Sequence, residues 1–85
     1  MAYRVFLTRE ARRNMLALPR EAARRVDACI LALADKPRPA RTKKPKGPGD
    51  FWRVRVGDYR IGYQVEDDRL LVLVIRVAHR REAYR

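Results

Sequence analysis

The chain has 85 residues, of which 47% are hydrophobic and 36% are charged, and its formal net charge is +11. A chain of this length builds one compact core, so we expect a single domain over residues 1–85, and the hydrophobic content excludes general disorder. The strong positive charge favours a polyanionic partner, which could be nucleic acid, an anionic membrane or an acidic protein.

The cysteine count, the apolar runs and the absence of ligand-binding motifs bear on the cellular location and on cofactor use. Cys29 is the only cysteine, so an intramolecular disulfide is impossible and a reducing compartment is expected. The first residues do not resemble a secretion signal, and the longest apolar run, "LLVLVI", is too short to span a bilayer. One histidine and one cysteine give no metal-ligand spacing, and no glycine-rich phosphate loop is present. We therefore expect a cytoplasmic protein without a membrane partner, a metal site or a cofactor.

The first half of the chain predicts a strand followed by a helical hairpin. "AYRVFLT" alternates between apolar and polar residues, as a half-buried strand does. Thr8 is a suitable N-cap for a helix that runs to about Ala17, and Pro19 separates it from a second helix, "REAARRVDACILALAD". The residues expected to face the core are Tyr3, Val5 and Leu7 on the strand and Ala22, Val26, Ile30 and Leu33 on the second helix.

A basic loop, "KPRPARTKKPKGPGD", follows over residues 36–50. It contains four of the five prolines and two of the four glycines, and no apolar period survives in it. We expect a mobile, solvated connection. Lys43, Lys44 and Lys46 are candidates for phosphate contacts.

Two strands then flank the dipeptide Gly57-Asp58, which is a typical two-residue hairpin turn. This turn pairs Arg55 with Arg60, and it pairs Arg53 with Gly62. Phe51 is placed opposite Gln64 on the same face. The opposite, helix-facing side receives the apolar set Trp52, Val54, Val56, Tyr59, Ile61 and Tyr63.

A third strand, "LLVLVIRV", is apolar on both faces, so the pattern alone does not determine its register. We place four residues toward the helices because the reverse would bury the unpaired charge of Arg76. Those residues are Leu71, Leu73, Ile75 and Val77. The tail "AHRREAYR" is expected to fold back over the rim of the arginine face, the sheet surface that carries Arg53, Arg55, Arg60 and Arg76.

The predicted fold is thus α+β. An N-terminal strand and a helical hairpin precede a three-strand antiparallel meander, which completes a four-stranded sheet packed on the helices. A short C-terminal tail follows.

The arginine face suggests chemistry on a phosphate. Like charges opposite each other destabilise a strand pair by a few tenths to about 1 kcal/mol, unless an anion lies between them. Phe51 could stack on a base, and the tail adds His79, Arg80, Arg81 and Tyr84. RNA carries its own nucleophile, the 2′-OH, so a base, an acid and cations would suffice for cleavage. The pattern alone leaves catalysis and mere RNA binding open.

Two blocks, "WRVRVGDYRIGYQV" and "VLVIRVAHRREAYR", resemble the RelE branch of the RelE/ParE toxin superfamily, and the resemblance extends to the order of elements along nearly the whole chain. It implies a ribosome-dependent mRNA endonuclease that uses no metal. Such a toxin acts on mRNA in the ribosomal A site, stops translation and is held inactive in a hetero-oligomer with a cognate antitoxin. The products would be 2′,3′-cyclic phosphate and 5′-OH ends.

The resemblance also implies roles for individual residues. Arg53 and Arg55 would contact and activate the RNA backbone. Arg60 and Arg80 would stabilise phosphate charge, and Tyr84 would orient the nucleotide or take part in proton transfer.

The general base is the point at which the sequence departs from the family. Well-studied members carry lysines at the positions of Arg53 and Arg55, and arginine cannot act as the base because its guanidinium group stays protonated in proteins. His79 is the first substitute, since histidine is the side chain that exchanges protons most readily near neutral pH. Glu82 is the second.

Two alternatives remain open at this point. The ParE branch uses the same fold to poison DNA gyrase, although the "HRREAYR" ending with its tyrosine favours RelE. The other alternative is a non-catalytic RNA-binding relative, in which the arginine face only supplies positive charge.

Overall fold

The fold is that of a computed structural model, which describes residues 2–83. The predicted α+β class and the order of elements are confirmed. The elements are β1 (Arg4–Leu7), α1 (Arg9–Ala17), α2 (Arg20–Asp35), β2 (Trp52–Val56), β3 (Tyr59–Glu66), β4 (Leu71–His79) and α3 (Arg80–Ala83). Within residues 2–83, no helix is long and apolar enough to cross a membrane.

The four strands form one mixed sheet in the order β1-β4-β3-β2. β1 runs parallel to β4, and the other two neighbouring pairs are antiparallel. The α1–α2 hairpin packs on one side of this sheet, where Val26, Ile30 and Leu33 meet Ile61 and Tyr63 of β3 in the buried core. The α1–α2 hairpin does not cover the opposite side of the sheet, which is the arginine face.

Thr8 is the N-cap of α1, as predicted, and its side chain also holds the helix to the sheet. Its Oγ1 accepts a hydrogen bond from the Ala11 N–H at 3.0 Å and donates one to the Ile75 carbonyl at 2.6 Å. The hydroxyl therefore satisfies one free N–H of the first helical turn and one strand carbonyl together.

We expect Thr8→Ala to lower the free energy of unfolding by about 1–2 kcal/mol, because it removes an N-cap and leaves the Ile75 carbonyl without its donor. Urea denaturation followed by circular dichroism measures this change. Thr8→Ser keeps the hydroxyl and is the matched control. If the alanine variant is as stable as the serine variant, the hydroxyl does not hold the helix.

The register of β4 differs from the prediction. Val72 and Val74 are fully buried in the core, whereas Leu71 and Leu73 lie on the arginine face. The placement of these two leucines toward the helices was wrong.

The cause is an extra residue in β4. Tyr63 pairs with Val74 and its neighbour Gly62 pairs with Arg76, so Ile75 has no partner in β3. Such a bulge reverses the alternation of side chains beyond it. Arg76 therefore lies on the arginine face and Val77 points into the core, as predicted. Val72 and Val74, on the other side of the bulge, point into the core as well.

Residues 36–50 form a loop without helix or strand, as predicted, but the loop is anchored to the sheet at several points. The buried Tyr63 hydroxyl donates to the Pro37 carbonyl at 2.7 Å. Lys43 and Arg53 exchange two backbone hydrogen bonds, of 2.8 and 3.1 Å. The first contact holds the start of the loop against β3, and the second holds its middle beside β2.

The start of the loop is fixed by a polar cluster on Asp67. Its carboxylate accepts a hydrogen bond from Arg38 Nη2 at 2.6 Å and another from the Tyr3 hydroxyl at 2.7 Å. The Arg38 guanidinium also lies over the Trp52 ring, 5.3 Å from its centroid. The bond from Arg38, followed by that from Tyr3, holds the pKa of Asp67 below its ordinary value.

A carboxylate with a lowered pKa stabilises the folded state above its unfolded pKa of about 3.9, and this contribution disappears as the pH falls through the folded value. We therefore expect the wild type to lose thermal stability below about pH 4 faster than Asp67→Asn does. Thermal melts between pH 7 and acid pH measure the difference. Parallel curves for the two proteins would contradict the assigned role of Asp67.

Candidate functional site

The β2–β3 hairpin brings the predicted arginines together. Gly57 adopts a φ of +57° at the first turn position, where glycine carries no steric penalty. Arg55 pairs with Arg60 and Arg53 pairs with Gly62, as predicted from the two-residue turn. Arg76 of β4 lies on the other side of Gly62. The arginine face therefore spans three adjacent strands.

A cavity of about 390 Å³ opens on this face beside the loop. Five of its seven lining residues are cationic. The lining residues are Arg41, Lys43, Arg53, Val54, Arg55, Gly57 and Arg60. Because β2 and β3 supply three of the cations and the loop supplies two, the anchors of the loop also position part of the site.

A second, smaller cavity of about 120 Å³ adjoins the first. The two cavities share Arg53 and Arg60. The smaller cavity is lined by Asp50, Phe51, Arg53, Arg60, Gly62, Arg76 and Ala78. The predicted nucleic-acid residues Phe51 and Arg76 thus lie next to the predicted catalytic arginines.

Three of these arginines form no ion pair with a described carboxylate. Among the described side chains, which do not include that of Glu82, no carboxylate lies within 4 Å of the guanidinium of Arg53, Arg55 or Arg76. The Nε atom of Arg53 is buried without a hydrogen-bond partner from the described side chains. Several cations that share one concave surface and form no ion pair there favour an anionic ligand with several oxygens, such as a phosphodiester.

The smaller cavity also contains a carboxylate, that of Asp50, which accepts hydrogen bonds from the backbone of the loop. Its Oδ2 accepts the Lys46 backbone N–H at 2.8 Å. Backbone hydrogen bonds from Lys46 and then Phe51 hold the pKa of Asp50 below its ordinary value. It is therefore a weak base that shapes the end of the loop.

His79 does not join the arginines. β4 continues through His79, so the side chain alternates to the helix-facing side, opposite Tyr59. The two rings meet edge to face with centroids 5.2 Å apart, and His79 Nδ1 accepts the Arg81 N–H at 3.2 Å. The expectation that His79 lies in a tail at the rim of the arginine face is corrected, because the residue belongs to the strand.

The remaining predicted residues either lie outside the lining of both cavities or are not among the described residues. Arg80 and Arg81 are exposed on α3, where Arg80 Nη1 lies 3.8 Å from the Asp58 carboxylate. Lys44 and Lys46 are exposed in the loop, outside the lining of both cavities. Tyr84 and the side chain of Glu82 lie outside the described residues.

Sequence reasoning missed Arg41 as a site residue. It lines the larger cavity, and its Nη2 lies 3.7 Å from the Cys29 sulfur of α2. The loop has no periodicity from which this orientation could be inferred. Within the described part of the chain, no group of three histidine, cysteine, aspartate or glutamate side chains is arranged to hold a metal ion.

Comparison with known proteins places these features in a family. Residues 5–84 match the sequence model of the ParE toxins of type II toxin-antitoxin systems. The chain is 34% identical to toxin RelG of Mycobacterium tuberculosis over 100% of this chain and 99% of that protein.

Two solved structures with the same fold are complexes that contain RelE toxins. The toxin-antitoxin complex RelBE2 of Mycobacterium tuberculosis matches with a TM-score of 0.82 and 27% identity, over 93% of this chain and 99% of that chain. The RelE-RelB complex of Pyrococcus horikoshii matches with a TM-score of 0.82 and 28% identity, over 94% and 97%. The chain therefore belongs to the RelE branch of the RelE/ParE superfamily of type II toxin-antitoxin toxins.

Proposed function

We propose that this toxin is a ribosome-dependent mRNA endonuclease whose active site is the larger cavity of the arginine face. The observation that carries the proposal is the convergence of five cationic side chains on one cavity of about 390 Å³. The guanidinium groups of Arg53 and Arg55 form no ion pair with a described carboxylate, which supports their availability to an RNA backbone.

In the proposed reaction the 2′-oxygen of the RNA attacks the adjacent phosphorus. Its proton passes to a base, the bond from phosphorus to the 5′-oxygen breaks, and the leaving oxygen takes up a proton. The products are a 2′,3′-cyclic phosphate and a 5′-OH end. Arg55 and Arg60 would bind the phosphate oxygens, whose negative charge grows in the transition state. Arg53 would hold the neighbouring backbone.

The general base must be a residue other than these arginines, because a guanidinium group stays protonated and cannot accept a proton. A general base must reach the proton that it removes, and His79 faces the helix side of the sheet beside Tyr59. His79 is therefore not part of the proposed reaction. Tyr84 is the residue that the family resemblance assigns to orientation of the nucleotide or to proton transfer.

We also propose that a cognate antitoxin binds this chain and blocks the site. The two structural relatives named above were solved as toxin-antitoxin complexes. The net charge of +11 suits an acidic partner. Any partner that binds only the folded state also stabilises a small domain by mass action.

Primer extension on an mRNA held in a ribosome with an empty A site tests the proposal. The same mRNA free in solution is the control. We expect cuts in the ribosomal sample that are absent from the free RNA. If neither sample is cut, the nuclease proposal fails, and inhibition of DNA supercoiling by gyrase then separates a ParE-like poison from a toxin that only binds RNA.

A further inference from the structure

We propose that the smaller cavity is a nucleotide subsite, in which the ring of Phe51 stacks on one base while Arg60 and Arg76 bind the adjacent phosphate. The subsite would take the same RNA strand that enters the larger cavity, so it rests on the proposed function. Its occupant is one nucleotide of single-stranded RNA.

The position of the Phe51 ring depends on the absence of a side chain at residue 62. A Cβ atom added to Gly62 would lie 2.3 Å from Cε1 and 2.7 Å from Cδ1 of Phe51, closer than real Cβ contacts come. Gly62 is not among the described residues with a positive φ. The glycine at position 62 therefore provides space for the Phe51 ring; the backbone conformation there does not require a glycine.

Core packing does not account for Phe51. The ring lies on the arginine face, and Phe51 is neither in the buried core cluster nor among the partly buried residues packed against that cluster. Phe51 is thus a half-buried aromatic side chain outside the core, on a surface that is otherwise cationic. Proteins bind single-stranded nucleic acid with this combination, because a base stacks on the ring and the cations bind the phosphates.

The surroundings of the ring supply the phosphate contacts. Gly62 pairs with Arg53 on one side and with Arg76 on the other, so strand residues flanking the ring carry guanidinium groups. Arg60 lies two residues before Gly62 on the same face of β3 and lines the same cavity. A base on Phe51 and a phosphate between Arg60 and Arg76 would be neighbours along one strand.

The first test measures binding of a short single-stranded RNA at low salt by fluorescence anisotropy, next to the same oligonucleotide with all of its bases removed. We expect Phe51→Leu to weaken binding of the intact RNA about tenfold, the scale of one lost stacking contact. Binding of the abasic RNA should not change. The matched control is Phe6→Leu, because Phe6 is 48% exposed on the same sheet face but pairs with Leu73 instead of lying among the cavity arginines.

The second test uses the contact between Gly62 and Phe51. Gly62→Ala should displace the ring and weaken binding of intact RNA about as much as Phe51→Leu does. In a Phe51→Ala background the ring is absent, so Gly62→Ala should have no further effect. Phe51→Tyr, which keeps the ring, should bind like the wild type. Equal effects of Gly62→Ala in both backgrounds would overturn the proposal.

The outcomes separate this inference from the nuclease proposal. If the base-dependent loss is seen in Phe51→Leu but the wild type does not cut ribosome-bound mRNA, the subsite stands and the nuclease fails. If the wild type cuts mRNA but Phe51→Leu binds intact RNA as tightly as the wild type does, the subsite alone is wrong. A wild type without measurable binding of the intact RNA, or an equal loss on abasic RNA, also overturns the subsite.

Discussion

Arg60→Ala is expected to lower the rate of mRNA cleavage on the ribosome by roughly 10²–10³-fold, the usual cost of removing one group that stabilises developing charge in a transition state. Arg60 lines both cavities and pairs directly with Arg55 across the hairpin. Single-turnover primer extension with the purified toxin and programmed ribosomes measures the loss. Arg60→Lys should recover only part of the rate, because an ammonium group keeps the charge but cannot grip two phosphate oxygens as a planar fork does.

The control for this change is Arg69→Ala, which removes the same charge from a different surface. Arg69 lies in the turn between β3 and β4, is 74% exposed and makes an i,i+3 ion pair with Glu66. Exposed ion pairs of this kind contribute at most about 1 kcal/mol to stability. If both variants lose the same activity, net charge and not the position of Arg60 determines the rate, and the assignment of Arg60 is wrong.

Leu33→Ala is the change for which we expect the largest loss of stability. Leu33 of α2 is 1% exposed and belongs to the core cluster between the helices and the sheet. Truncating such a leucine costs about 2–5 kcal/mol, because the remaining side chains close the cavity only in part. Small domains are stable by about 5–15 kcal/mol in total, so the loss is a large fraction. Urea denaturation gives the free energy of unfolding directly.

Leu31→Ala is the matched control on the same helix. Leu31 is 64% exposed, so the same chemical change there should alter the free energy of unfolding by no more than about 0.5 kcal/mol. Comparable losses at both positions would mean that α2 does not pack on the sheet by the face assigned here.

The hairpin was predictable from the sequence because its signals are local. A Gly-Asp turn of two residues determines which residues pair across β2 and β3, and strict alternation then puts Arg53, Arg55 and Arg60 on one face. The observed register confirms two of the predicted pairs, Arg55 with Arg60 and Arg53 with Gly62. α2 was predictable for a similar reason, since its apolar stripe has the helical period.

β4 was not predictable in the same way. Its residues are apolar on both faces, so nothing local reveals that Ile75 is an extra residue between two paired neighbours. The bulged residue contacts a part of the chain that is far away in sequence, because the Thr8 hydroxyl donates a hydrogen bond to the Ile75 carbonyl. The misplacement of Leu71 and Leu73 followed from assuming unbroken alternation.

The site was predictable in part. The family resemblance and the hairpin together identified the strand arginines, but the orientation of His79 depends on where β4 ends, and the boundaries of elements have weak local signals. The contribution of Arg41 depends on a loop whose shape is set by anchors such as Tyr63 and Asp67. Tertiary contacts of this kind leave no pattern in the sequence.

The most direct test of the central claim uses an mRNA with a single 2′-deoxy nucleotide immediately 5′ of a mapped cut, held in the ribosomal A site. The proposed reaction uses that 2′-oxygen as its nucleophile, so we expect cleavage at this bond to disappear while cleavage at unmodified sites continues. Cleavage that persists at the deoxy position would contradict attack by the 2′-OH, and with it the proposed use of the arginine face in an RNA-cleaving reaction.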